Sequence, residues 1–203
     1  MVREGIPFVA IPAVIGLLFT LFGLWPVAAA FFLLAAFMMY FFRDPARVVP
    51  QGEGLIVSAA DGRVTRIEDN GDTKLVSVFL SPLNVHINRS PIAGRISKIT
   101  YVVGKKMPAT SDTASLVNER NSLVIEGEDM TVTCTQIAGI LARRIVCWPK
   151  SGDNLRRGEK FGLIKFGSRT DILMPANVEI KVSVGDRVKG GETIIGRMMN
   201  DER

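Results

Sequence analysis

Three polar residues of this chain close runs that otherwise read as apolar β-strands. They are Asp61 in Ser-Ala-Ala-Asp-Gly-Arg-Val, His86 after Val-Phe-Leu-Ser-Pro-Leu-Asn-Val, and Ser168 after Phe-Gly-Leu-Ile-Lys-Phe-Gly. A carboxylate can orient an imidazole, the imidazole can take a proton, and the hydroxyl so activated can attack a carbonyl. His86 is the only histidine in the 203 residues, so any proton transfer through imidazole falls to it. Each residue also has a plainer reading. Gly167-Ser168 can be a tight turn, Asp61-Gly62 is a good hairpin dipeptide, and His86 can be a core histidine satisfied by backbone.

The order of four separated motifs favours the chemical reading. Phe41-Phe42-Arg43-Asp44-Pro45, Ala60-Asp61-Gly62, Leu80-Ser81-Pro82-Leu83-Asn84-Val85-His86 and Phe166-Gly167-Ser168 follow one another as in phosphatidylserine decarboxylases. The chain resembles the short archaeal and bacterial proenzymes of that family, from about residue 41 to the C-terminus. The resemblance implies a proenzyme in which the Ser168 hydroxyl attacks the Gly167 carbonyl and the resulting ester eliminates. Fragments 1–167 and 168–203 would result, forming a heterodimer with Ser168 converted to an N-terminal pyruvoyl group. That covalent pyruvate cofactor would condense with the amine of an anionic serine phospholipid and draw electrons as the carboxylate leaves. His86 is the implied base in cleavage and acid in the later protonation, with Asp61 as the third catalytic residue. Two departures stand out. Longer members carry His-x-x-His where this chain has His86-Ile87-Asn88-Arg89, and threonine after the serine where this chain has Arg169.

These residues must be carried by two kinds of segment. From Ile6 to Phe42 no residue is charged. As one helix that run would extend roughly 55 Å at about 1.5 Å per residue, nearly twice a hydrocarbon core of about 30 Å. Gly23-Leu24-Trp25-Pro26 interrupts it near the middle, so the sequence predicts a helical membrane hairpin, spanning or re-entrant. One tilted helix with a second buried segment is the alternative. Arg3, Arg43 and Arg47 put both ends on the cytoplasmic face of the cell membrane by the positive-inside rule. Residues 1–49 therefore form the anchor and 50–203 the catalytic domain, cut between 167 and 168.

The second region is mainly β, with strands expected at 55–58, 62–68, 74–80, 94–103, 122–126, 131–137, 143–147, 161–166, 170–174 and 179–182, and a helical turn near 81–84. Two internal echoes point to duplicated hairpins. Residues 92–99 echo 137–145, and Gly152-Asp153…Gly158-Glu159 echoes Gly185-Asp186…Gly191-Glu192. The second pattern is similar to lipoyl and biotinyl carrier hairpins and implies intertwined small sheets. Residues 104–121 form the longest stretch without a strand pattern, either a flap over the substrate headgroup or a surface loop.

The net charge is +5, spread along the chain rather than packed into a tract. That argues for anionic lipid and against nucleic acid. Arg89 is a candidate for pairing with the substrate's phosphate or carboxylate, with a solvated face as the alternative. Cys134 and Cys147 lack metal-ligand spacing, and one histidine cannot furnish a zinc-peptidase site, so no metal is expected. The rival reading is a noncatalytic membrane-anchored lipoyl-like adaptor or carrier. A further dimer of the processed protein is open, since small β domains expose edge strands.

Overall fold

A computed structural model describes residues 1–104, 107, 117–139, 144–165 and 168–199. Two compact units divide the chain, Met1–Ala46 and Arg47–Arg203.

In the first unit a 3₁₀ turn, Arg3–Gly5, leads into α1 (Ile6–Leu21), and α2 (Trp25–Phe41) follows after three residues. Gly23 turns the chain with φ of 73°, a value side chains resist. Proline opens α2, where its missing N–H has no helical partner to lose. The helices run antiparallel, and the Val2 N–H reaches the Phe42 carbonyl at 3.1 Å, so both ends of the hairpin meet. Phe19 stacks on Phe31 with centroids 5.6 Å apart. Gly16 admits the Phe32 ring against the α1 backbone, where a Cβ would come within 3.0 Å of it. The outward face stays apolar: Ile11, Val14, Leu17, Leu21 and Leu33 are all exposed. Among the described residues, Arg3–Leu21 is the one helix long and apolar enough to cross a membrane; Trp25–Phe41 is apolar but shorter.

The second unit is all β among its described strands. In chain order these are β1 (Leu55–Val57), β2 (Gly62–Asp69), β3 (Thr73–Leu80), β4 (Ile87–Arg89), β5 (Gly94–Val102), β6 (Arg120–Glu126) and β7 (Thr131–Ala138). The remainder are β8 (Arg144–Cys147), β9 (Asn154–Leu155), β10 (Lys160–Lys165), β11 (Ser168–Pro175), β12 (Val178–Ile180), β13 (Arg187–Val188) and β14 (Ile194–Met198). One large sheet runs β13-β2-β3-β11-β7-β6-β5-β9, and two small ones run β1-β14-β12 and β4-β10-β8.

That order is a palindrome. Strands β1–β3 and β11–β14 form one half, β4–β6 and β7–β10 the other, and the halves interlock at the β11–β7 pairing. The register confirms the duplication residue by residue. Val64 pairs Val78 and Ile96 pairs Ile125, each followed by a bulge at the same step. Asp186 and Asp153 each cap a turn, accepting from the Ser183 and Lys150 amides at 2.8 Å. Gly191 and Gly158 take φ of 79° and 74° and donate to Ser58 O and Ser90 O. The Gly-Asp echo in the sequence is therefore a real structural repeat. The other expected echo is corrected: residues 92–99 match 60–67, not 137–145, of which residues 140–143 lie outside the described residues.

Alternation explains the packing. Even-numbered β11 residues Ile172 and Met174 turn inward with Val64, Val76, Val78, Ile96, Leu123, Ile125, Val132 and Cys134 to make one buried core. The short strands β4, β9, β13 and β14 escaped the sequence pattern, because two to five residues show no period. Residues 81–84 form one short turn, closed by the Asn84 N–H on Ser81 O at 2.9 Å.

Candidate active site

Ser168 opens β11 and pairs Leu80 of β3 on one side and Ala138 of β7 on the other. It is fully buried, and its Oγ has no hydrogen-bond partner among the described residues. Leaving a buried hydroxyl unsatisfied costs about 1–3 kcal/mol, so this position carries a penalty that packing does not explain. Its cross-strand neighbour Ala138 packs with Ile145 and Ile164 in a small apolar cluster. A carbonyl group in place of the hydroxyl would remove the unpaired buried O–H donor and leave only an acceptor. Gly167, the other half of the expected cleavage site, lies outside the described residues.

His86 precedes β4 and is buried. Its Nδ1 lies 2.9 Å from the Asn84 carbonyl. A carbonyl only accepts, so Nδ1 carries the proton and the neutral ring keeps its lone pair on Nε2. The turn beneath is tied twice, since Asn84 Oδ1 accepts from both the Ser81 amide and the Ser81 hydroxyl at 2.8 Å. Physical work is thus assigned to Ser81 and Asn84, which the sequence reading quoted without giving them a role.

His86 precedes a strand of one sheet and Ser168 opens a strand of another, yet the chain brings them to one corner. The Ile164 amide donates to the His86 carbonyl at 3.2 Å, Ile164 packs on Ala138, and Ala138 pairs Ser168. Two residues beyond each, the Asn88 amide donates to Thr170 Oγ1 at 3.0 Å. Side chains two apart on a strand share a face.

Asp61 bonds elsewhere. Its oxygens accept from Arg47 at 2.8 and 2.9 Å, and from the Gly190 amide at 2.8 Å. Arg47 also faces Glu192 at 3.7 Å, with its side chain 6% exposed. The direct carboxylate–imidazole pair expected of Asp61 is not among these bonds; the Asn84 carbonyl occupies the imidazole Nδ1 instead. Duplication nevertheless relates the three positions. Extending the paired registers by one or two residues makes Gly54, Ala93 and Met130 the mates of His86, Asp61 and Ser168, and all three mates line one cavity of about 850 Å³. Arg89 lines that mate cavity as well, pairing Lys160 at the far end of β10 and donating to Gly158 O at 3.0 Å. Three residues of extended chain carry it away from His86, so its placement does not support the expected headgroup contact. Of the expected flap, residues 105, 106 and 108–116 lie outside the described residues. Asn118, beside it, donates to Met107 O and to Ala138 O at 2.8 Å each.

Comparison with known proteins decides the family. The family model for phosphatidylserine decarboxylase matches residues 34–196. The chain belongs to the phosphatidylserine decarboxylase family. It is similar to the phosphatidylserine decarboxylase proenzyme of Symbiobacterium thermophilum, 48% identical over 205 residues, covering 97% of this chain and 94% of the relative. The proenzymes of Geotalea uraniireducens and Paraburkholderia xenovorans are 45% and 43% identical, over 95% and 97% of this chain and 94% and 96% of the relatives.

For a phosphatidylserine decarboxylase family member, the remaining polar groups fit supporting roles. Burial, with the Asp171 and Cys147 charges adding to it, drives the Cys134 thiol far above its usual range. Burial also raises Cys147, partly offset by its hydrogen bond with Asn121. Neither is a thiolate at neutral pH. Among the described residues, no group of three or more His, Cys, Asp or Glu is placed to hold a metal ion.

Proposed function

We propose that this chain is a self-processing decarboxylase of phosphatidylserine, or of its archaeal ether-lipid counterpart, releasing the ethanolamine phospholipid and CO2. The observation that carries this reading is the buried, unpartnered Ser168 hydroxyl at the start of a central strand, in a chain of this family.

His86 Nε2 takes the hydroxyl proton, Ser168 Oγ bonds the Gly167 carbonyl carbon, and the Gly167–Ser168 C–N bond breaks to leave an ester. Loss of the Ser168 Cα proton then expels the Gly167 carboxylate. Addition of water and loss of ammonia leave a pyruvoyl group on residue 168. That group, held covalently, supplies the electron sink for decarboxylation of an amine-bearing substrate. His86 returns a proton to the carbon that lost the carboxylate. Asp61, paired with Arg47 and the Gly190 amide, holds the segment between β1 and β2 in place beside the site. Fragment 168–203 remains in place after the cut, because β11 is hydrogen-bonded on both sides and β14 lies between β1 and β12.

The apolar outer face of the hairpin supports membrane anchoring, and Arg3 and Arg43 near its two ends support the cytoplasmic side. At about 1.5 Å per residue α2 reaches roughly 25 Å, short of a hydrocarbon core of about 30 Å, which suits a hairpin that enters and returns.

Intact mass of the purified wild type beside Ser168→Ala tests the reading. Two wild-type fragments divided at 167/168, the smaller lacking its amino group and reacting with a carbonyl reagent, are expected, with a whole chain for Ser168→Ala. A whole chain in both, after incubation with anionic vesicles, would sink it and favour the noncatalytic adaptor.

A further inference from the structure

A chain of buried amides runs under the Ser168 corner. Asn121 Nδ2 donates to Gln136 Oε1 at 3.0 Å, Gln136 Nε2 to Asn88 Oδ1 at 2.9 Å, and Asn88 Nδ2 to Thr170 Oγ1 at 3.0 Å. Two backbone carbonyls set its direction, since Gln136 Nε2 also faces Val146 O and Asn88 Nδ2 faces Ala59 O, each at 3.5 Å. The chain crosses from β6, β7 and β11 of the large sheet to β4 of the small sheet that follows His86.

The duplicated architecture supplies an internal control. Register places Ile56 where Asn88 sits, since each pairs the strand glycine, Gly196 or Gly162. It places Val132 opposite Ile125 where Thr170 lies opposite Val78, and Met174 opposite Lys74 where Gln136 lies opposite Asn121. A Cβ on Gly162 would meet Gln136 Nε2 at 3.1 Å, and one on Gly196 would meet Met174 Sδ at 3.5 Å, so both side chains fill the same niche. Because β7 and β11 interlock, each cluster draws on both halves: one packs these positions with buried Ile56, Met174 and Val132, and the other buries Asn88, Gln136 and Thr170. The fold works with apolar side chains, and polar ones gain little over them when buried.

We propose that Asn88, Gln136 and Thr170 are positioning residues, a polar brace retained on one side only because it fixes the separation of His86 from Ser168. The proposal rests on the self-cleavage reading above. Asn88 follows His86 by two residues and Thr170 follows Ser168 by two, so their hydrogen bond sets the next rung of the same two faces. An apolar contact would hold the sheets together without defining that approach, because dispersion is not directional.

The test gives the full-length protein the side chains of its own apolar sister cluster: Asn88→Ile, Gln136→Met and Thr170→Val together. Self-cleavage is followed by intact mass against time between pH 5 and 9, and thermal unfolding is followed alongside. The expected result is an unfolding midpoint at or above wild type with cleavage slowed at least tenfold and a changed pH profile. Thr170→Val and Thr170→Ser form a near-isosteric pair: the valine slows cleavage severalfold, and the serine, which keeps the hydroxyl, restores it. Wild-type cleavage rates in Thr170→Val or the triple variant overturn the brace alone. Equal losses in Thr170→Val and Thr170→Ser, or cleavage that falls only in step with stability, also overturn it. A wild-type chain that stays whole removes the parent reading and the brace with it.

Discussion

The imidazole of His86 is aimed by a backbone carbonyl rather than a carboxylate, and this alters what its neighbours are for. Asn84 reaches His86 through main chain, so truncating its side chain acts only by loosening the turn it ties to Ser81. Asn84→Ala should cost about 1–2 kcal/mol of stability yet slow fragment formation well beyond that; unfolding and mass against time read the two separately. Asp61 is a structural partner of Arg47. Removing one member of a fully buried pair costs about 3–5 kcal/mol; this pair is partly exposed, 6% and 15% at its side chains, so Arg47→Met should lower the unfolding midpoint by less than that while leaving every expected catalytic group intact. Cys134 is buried with its thiol pushed well up. It should resist maleimide at pH 8 in the folded protein and react fully in denaturant; rapid native labelling would contradict its core position.

At the level of elements, the repeated Gly-Asp turns do different jobs in the two halves. Glu192, in the second copy, accepts from the Val48 amide at 3.2 Å and so ties the segment after residue 46 onto the β domain. That amide, with Arg47 and Lys189 nearby, holds the Glu192 carboxyl below its ordinary value of 4.5. A depressed carboxyl binds protons less readily folded than unfolded, so its contribution is present above that value and is lost as pH falls through the folded one. Glu192→Gln should lower the unfolding midpoint at pH 7, where the contribution is fully present, and the gap from wild type should close as pH falls below about 4.5, as unfolding midpoints across pH 3–7 would show.

For the whole molecule, interlocking matters more than any single sheet. Fragment 168–203 brings Ile172, Met174, Val178, Val188 and Ile195 into the core. At about 1.5–3 kcal/mol per buried side chain, they hold it by roughly 10 kcal/mol. After cleavage the fragments should therefore co-elute in gel filtration and separate only in denaturant; a small fragment lost in native buffer would contradict the interlocked topology.

The apolar run from Ile6 to Phe42, its break at Gly23 and the strands of the β unit could be read from sequence, because composition and alternation are local properties. So could Asp61, His86 and Ser168 as polar residues in apolar settings. The repeat of 60–67 in 92–99 is also legible, in Gly-Arg-Val-Thr-Arg-Ile against Gly-Arg-Ile-Ser-Lys-Ile, although Ile-Ala-Gly at 92–94 recurs at 137–139 as well. Only the tertiary structure paired β11 with β3 and β7, turned Arg47 onto Asp61, sent Arg89 to the far end of β10 and joined Asn88 to Thr170 across 82 residues. Those contacts come from strands distant in the chain, and their register depends on the joint packing of both halves, which no local pattern encodes.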